Sequence, residues 1–168
     1  RMGFEGAAGH YDVAPDIITF GKIIGGGLPV GAYGASDKIM EAISPLGPVY
    51  QAGTLSGNPV AMSAGYAQLK LCLEPGFYED QEARTKAFVK IVNDHAAKHG
   101  YAFRLITRAS IFWLSFSDKN TIKKASEIAG EGMNYFTVLF HYLLDHGIYL
   151  GPSGYEVGFV SSSHTPEV

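Results

Sequence analysis

The sequence predicts an α/β chain in two parts. The tail of an α/β domain covers residues 1–75, and a smaller α+β unit with an antiparallel sheet covers residues 76–168. Three observations predict this. Short β-branched and aromatic runs alternate with Gly-rich turns before residue 45. A stretch rich in Ala, Ser and Gly then reads as a helix that stops at Pro75 and Gly76. Beyond it, a polar helical pattern is followed by two strand-like runs and an apolar helix. With 46 % hydrophobic and 17 % charged residues, the chain can bury a sizeable core and does not read as disordered.

In chain order, residues 1–13 are Gly-rich and read as irregular. "DIITFG" reads as a strand end, and Gly25–Gly27 with Pro29 forbid a helix after it. "VGAYGA" is a second short strand, and Ser36 with Asp37 can cap a short helix, "DKIMEAI". Pro45 and Pro48 open a loop through "YQAGTLSG". Asn58 is a good N-cap with Pro59 at the first helical position, and the small residues of 59–74 allow close packing on a neighbour. A polar helix over about 79–98 stops at Gly100. "YAFRLITRASIFWLSFS" reads as two strands around a turn at 108–110. "NTIKKASEIAGEG" is expected to be a short helix and connector. "NYFTVLFHYLLDHG" is apolar on nearly all sides and is expected to be a buried helix, its aromatics at 135–142 belonging to the core. "IYLGPSGYEVGFVSSSHT" reads as one or two short strands interrupted by Gly-Pro-Ser-Gly.

Charge and composition narrow the function classes. The net charge of −3 comes from mixed acidic and basic residues with no basic block, so neither nucleic acid nor an anionic membrane is an expected partner. No apolar run reaches the ~18 residues a membrane span needs. The single cysteine, Cys72, excludes an internal disulfide framework and reads as a small apolar residue on a helix. The expected location is cytoplasmic. The chain begins at Arg1 with a motif close by, and a piece of a longer protein is the expectation. His10, His95, His99, His141 and His146 show no metal-ligand spacing, so no metal site is expected.

Lys22 stands between a β-branched run and three glycines. From composition alone, a surface lysine in a turn is the simpler reading. The chemical alternative is a carbonyl-seeking amine, since lysines form Schiff bases when their amine is neutral part of the time. Glycines beside such a lysine let the backbone turn sharply and let a planar ring approach. Two other Gly-rich mechanisms fail. A nucleotide P-loop needs glycine where Asp16 stands and Ser or Thr where Ile23 stands, and Gly25, Gly27 and Val30 do not supply a dinucleotide fingerprint.

"PDIITFGKIIGGGLPVGAYG" closely resembles the cofactor-lysine motif of class III aminotransferases, pyridoxal-phosphate enzymes of fold type I, and Lys22 matches their Schiff-base lysine. "QAGTLSGNPVAMSAG" resembles the second signature of that class, in which the pair matching Gly53 and Thr54 reaches the cofactor phosphate, usually from the partner subunit of a homodimer. A backbone N–H and a hydroxyl on a loop before a helix suit an anion. The resemblance covers essentially the whole chain. Within the class it is closest to the glutamate-1-semialdehyde 2,1-aminomutase family, through "VYQAGTLSGNP" and "YLGPSGYEVGFVSSSHT". Ordinary class III aminotransferases usually carry an arginine followed by a double proline in this region, and this chain has neither.

The resemblance implies that Glu156 is a substrate-side carboxylate, although alone it would read as a strand-end glutamate in solvent. His164 reads as a structural histidine near a helix start rather than a catalytic one. The family's pyridinium-nitrogen aspartate, its phosphate loop and its mobile lid would precede Arg1, so this chain alone is expected to be inactive. Ala35 replaces a glycine common in the motif. The implied reaction is the isomerisation of glutamate-1-semialdehyde to 5-aminolevulinate in tetrapyrrole (porphyrin) biosynthesis, with pyridoxal and pyridoxamine phosphate forms in the cycle and Lys22 as proton shuttle. The rivals are an ordinary class III aminotransferase and a non-catalytic fragment.

Overall fold

The structure, a computed structural model, describes residues 2–117, 119, 121–128 and 130–166. They fall into two compact units, Glu5–Phe77 and Tyr78–Val168 together with Arg1–Phe4.

The N-terminal unit opens with a short helix, α1 (Gly6–Tyr11), where the sequence reads as irregular. Its glycines signal a turn, yet Gly and Ala leave no side chain to oppose one helical turn. Asp12 then ends it in the left-handed region at φ +51°, and the Val13 N–H returns to the Ala8 carbonyl at 3.0 Å. Strands β1 (Ile17–Gly21) and β2 (Gly31–Ala35) pair antiparallel, from Ile17 opposite Ala35 to Gly21 opposite Gly31. Between them, Lys22–Gly25 form one 3-10 turn. Helix α2 (Asp37–Met40) is a single turn whose Ser36 makes no side-chain cap. Helix α3 (Pro59–Cys72) is capped as the sequence predicts, with Asn58 Oδ1 accepting from the N–H groups of Val60 and Ala61 at 3.1 and 3.2 Å. Cys72 is a buried free thiol at its last position.

The C-terminal unit carries the larger core. Helix α4 (Phe77–His99) ends at Gly100, where the Tyr101 N–H reaches back to the Ala96 carbonyl at 2.9 Å. Strands β3 (Arg104–Arg108) and β4 (Ile111–Ser115) form the expected hairpin, and β5 (Gly158–Phe159) pairs antiparallel with β4, giving the order β3-β4-β5. Val89, Leu105, Phe112, Leu114, Phe136 and Val160 form the buried cluster. Asn93 on α4 grips β3 through both ends of its amide. Its Nδ2 donates to the Leu105 carbonyl at 2.9 Å, and its Oδ1 accepts from the Leu105 N–H at 2.7 Å.

Two further expectations need correction, and a third, the short C-terminal strand, is met at its shortest. The "NTIKKASEIAGEG" stretch holds only a 3-10 turn, Ala125–Glu127, and its Asn120 and Ala129 lie outside the described residues. The C-terminal strand is two residues long, because the loop before it is drawn onto α5 (Gly132–Asp145). Helix α5 itself is not buried all round. Phe136 is in the core with Leu139 and Phe140 packed on it, an i, i+3, i+4 stripe, while Tyr135, Val138 and Tyr142 on the other side are exposed. No helix among the described residues is long and apolar enough to cross a membrane.

The Asn93 amide makes two backbone bonds that no other side chain of similar size would replace. Asn93→Ala is expected to cost about 2–3 kcal/mol, the sum of two modest hydrogen bonds left without partners in a partly buried place. Denaturant unfolding of the protein, read as a lowered midpoint at unchanged slope, checks it; an unchanged midpoint contradicts it.

Candidate functional site

Lys22 is placed by the way β1 ends. Gly21 is still extended (φ −161°), and Lys22 then turns into the left-handed region at φ +55°. A non-glycine residue there costs roughly 1–2 kcal/mol, so the surroundings must hold it. What holds it is α3. Gly25 is buried, and a Cβ on Gly26 (φ +57°) would overlap the Ala64 carbonyl. A Cβ on Gly65 would likewise overlap the carbonyl oxygen of Ile24. The turn after Lys22 therefore lies backbone against backbone on α3, the close packing that the small residues of 59–74 allow.

The glycines thus divide their work. Gly26 serves the contact with α3, a Cβ on Gly25 would press on the Val30 side chain at 3.2 Å, and Gly27 (φ +95°) has open space where a Cβ would be. Lys22 is exposed, and its amine has no hydrogen-bond or ion-pair partner among the described residues.

Gly53 and Thr54 lie in a tight turn closed by the Ser56 N–H donating to the Gly53 carbonyl at 2.9 Å. That turn runs directly into the Asn58 cap of α3. Both residues are exposed, and the Thr54 hydroxyl makes no hydrogen bond among the described residues. Two of the first amides of α3 are occupied by Asn58 itself. An anion at this loop is thus served by the loop amides and the Thr54 hydroxyl more than by the helix end. Lys22 and the Gly53–Thr54 turn are tied to one helix: the turn enters it, and the Lys22 segment packs on it at Gly65, ~10 Å along the axis from Asn58 at 1.5 Å per residue.

Glu156 belongs to the C-terminal unit. It is exposed, its N–H donates to the Ser153 carbonyl at 3.0 Å, and its carboxylate lies over Gly151, where a Cβ would overlap Oε2. No cation pairs with it among the described residues. His164 is in a turn rather than at a helix start. Its Nδ1 accepts from the Ser161 N–H at 2.9 Å and lies 2.9 Å from Ser161 Oγ, which puts the proton of a neutral ring on Nε2. Trp113 is a residue that sequence reasoning missed. Its Nε1–H donates to the Gly154 carbonyl at 2.8 Å, next to the Glu156 loop. The one signal for it was its being the single tryptophan of the chain.

The unengaged Lys22 amine suits a carbonyl carbon, and the unengaged Thr54 hydroxyl suits a phosphate, each taken by itself. A family model described as aminotransferase class-III matches residues 1–163. The chain is similar to a β-phenylalanine aminotransferase from Variovorax paradoxus, with 28 % identity, a TM-score of 0.84, and coverage of 95 % of this chain and 37 % of that one. It is also similar to an omega-transaminase from Sphaerobacter thermophilus, with 27 % identity, a TM-score of 0.78, and coverage of 95 % and 37 %. A glutamate-1-semialdehyde aminomutase from Pseudomonas aeruginosa PAO1, solved in complex with PMP, shares the fold at 20 % identity and a TM-score of 0.76, over 99 % of this chain and 39 % of that one. The chain spans less than two fifths of the length of these structures.

The packing of the Lys22 turn on α3 can be broken by one methyl group. Gly65→Ala is expected to destabilise the protein by about 1–3 kcal/mol, the range for forcing extra volume into a packed contact, and more if the backbone cannot shift. Thermal unfolding of the variant measures it. A melting temperature equal to that of the parent would mean that the contact does not hold the turn.

Proposed function

The chain belongs to the class III aminotransferases, and from that premise we propose that it carries the cofactor lysine and part of the substrate site of a glutamate-1-semialdehyde 2,1-aminomutase. Enzymes of this class use pyridoxal 5′-phosphate. The whole protein is a cytoplasmic homodimer in this reading, acting in tetrapyrrole biosynthesis. The observation that carries the reading is the "GPSGYEVGFVSSSHT" segment, which carries a carboxylate, Glu156, and lacks the arginine followed by a double proline that ordinary enzymes of the class usually have in this region.

Each residue has a task of its own. Lys22 would hold the cofactor through Nζ, and the same amine would carry a proton between cofactor and substrate carbons. Gly53 and Thr54 of the partner's copy hold the phosphate by an amide and a hydroxyl. Bound there, pyridoxal phosphate supplies an electron sink and a carrier for the amino group. Glu156 attracts the amines of a diamino compound and repels the α-carboxylate of an ordinary amino acid. That favours one carbon skeleton over an exchange between two substrates.

A second reading has an observation of its own. The β-phenylalanine aminotransferase and the omega-transaminase are more similar in sequence to this chain than the aminomutase is. An intermolecular transaminase, moving an amino group from an amino compound to a keto acid, is that alternative.

Two measurements on the whole protein bear on these readings. Thr54→Ala is expected to weaken retention of pyridoxal phosphate about ten- to a hundredfold, the worth of one charge-assisted hydrogen bond of about 1.5–3 kcal/mol. Equilibrium dialysis reads it, and an unchanged affinity rejects the phosphate role. The second is an assay of 5-aminolevulinate formation from glutamate-1-semialdehyde beside transamination of glutamate. The parent is expected to do the first and barely the second, and Glu156→Gln should slow the first and raise the second. Ready transamination of glutamate by the parent moves the transaminase ahead.

A further inference from the structure

We infer that Trp113 is a positioning residue for the loop that carries Glu156, and that through this loop it sets the substrate preference of the enzyme; this rests on the substrate-side reading of Glu156 given above. Trp113 is central in β4, and its indole N–H reaches across 41 residues of sequence to the Gly154 carbonyl. Gly154 is the one buried residue between Gly151 and Phe159. It lies so close to α5 that a Cβ there would be 2.7 Å from Met133 Sδ and 2.9 Å from Phe136 Cγ. Gly158 is pressed on the Phe112 ring, where a Cβ would overlap Cζ.

The chain is thus held at Gly154 and again at Gly158, and Tyr155, Glu156 and Val157 stand exposed between the two anchors. Glu156 has no cation partner among the described residues, so the backbone of its own loop decides where its carboxylate is. At the first anchor, packing on α5 sets the depth of Gly154. The indole hydrogen bond sets the direction of its carbonyl, and with it the peptide plane leading to Tyr155 and Glu156. A loop freed from the indole keeps its glycine contact but loses that orientation. The carboxylate would then sample several positions, and its discrimination between an amine and an α-carboxylate would fall.

The test uses the full-length, cofactor-loaded enzyme with Trp113→Phe. A second variant replaces the Trp113 indole biosynthetically by benzothiophene, which keeps the ring shape, puts sulfur in place of N–H, and carries both measurements if the phenylalanine variant does not fold. In hydrogen exchange, the amides of Tyr155–Val157 are expected to exchange about three- to tenfold faster, the worth of one neutral hydrogen bond. Unchanged exchange overturns the hold on the loop. In kinetics, the ratio of kcat/KM for glutamate to that for glutamate-1-semialdehyde is expected to rise when Trp113 is altered, and not to rise further when Glu156→Gln is already present. An equal rise in both backgrounds overturns action through Glu156. If Glu156→Gln alone leaves the ratio unchanged while loop exchange still quickens, the substrate-side reading of Glu156 fails, and the role of Trp113 toward substrate falls with it.

Discussion

Ile24 meets Gly65, and Gly26 meets Ala64, with backbone against backbone and no side chain between. The N-terminal unit depends on this contact. Because α3 can be approached so closely, the chain leaving β1 must turn at once, and the turn falls on Lys22. The left-handed conformation of that lysine is therefore a consequence of packing some residues further on. A chemically useful amine is presented at a strand end, and the cost of its conformation is offset by the glycine contacts behind it. The same helix receives the Gly53–Thr54 turn at its N-terminus. One element thus organises both segments that carry the family's motifs.

Much of this was legible because the governing signals are local. Asn58 followed by Pro59 is a helix start whatever surrounds it, and Gly100 is a helix stop for the same reason. The β3–β4 hairpin follows from two β-branched and aromatic runs flanking a short turn. Signals that depend on distant chain were not legible. Nothing in "NYFTVLFHYLLD" tells which of its apolar faces meets the sheet, since Tyr135 and Phe136 look alike to a pattern of apolar residues. Helix α1 was hidden because glycines permit a turn of helix as readily as a bend. At the candidate site, the motif singled out Lys22, while its left-handed backbone had no local signal. The bond from Trp113 to Gly154 pairs two residues with no common pattern.

The two units differ in how they hold the candidate side chains. Lys22 is fixed through backbone packing, which leaves little freedom and tolerates little change. Glu156 is fixed through a loop tied at Gly154 and Gly158, with exposed residues between. The first arrangement suits a group that must always return to one place. The second suits a group whose exact placement tunes which of two similar molecules is accepted.

The Asn93 amide has a further consequence for the sheet of the C-terminal unit. A strand at the margin of a sheet offers unpaired N–H and C=O groups on which another chain can add, the common route to edge-to-edge aggregation. Leu105 is in β3, the margin opposite β5, and both its outward groups are taken by Asn93. A helix side chain thus fills the place where an intruding strand would begin to pair. Growth of the sheet past β3 is opposed at Leu105, so a helix side chain guards this margin against a second chain.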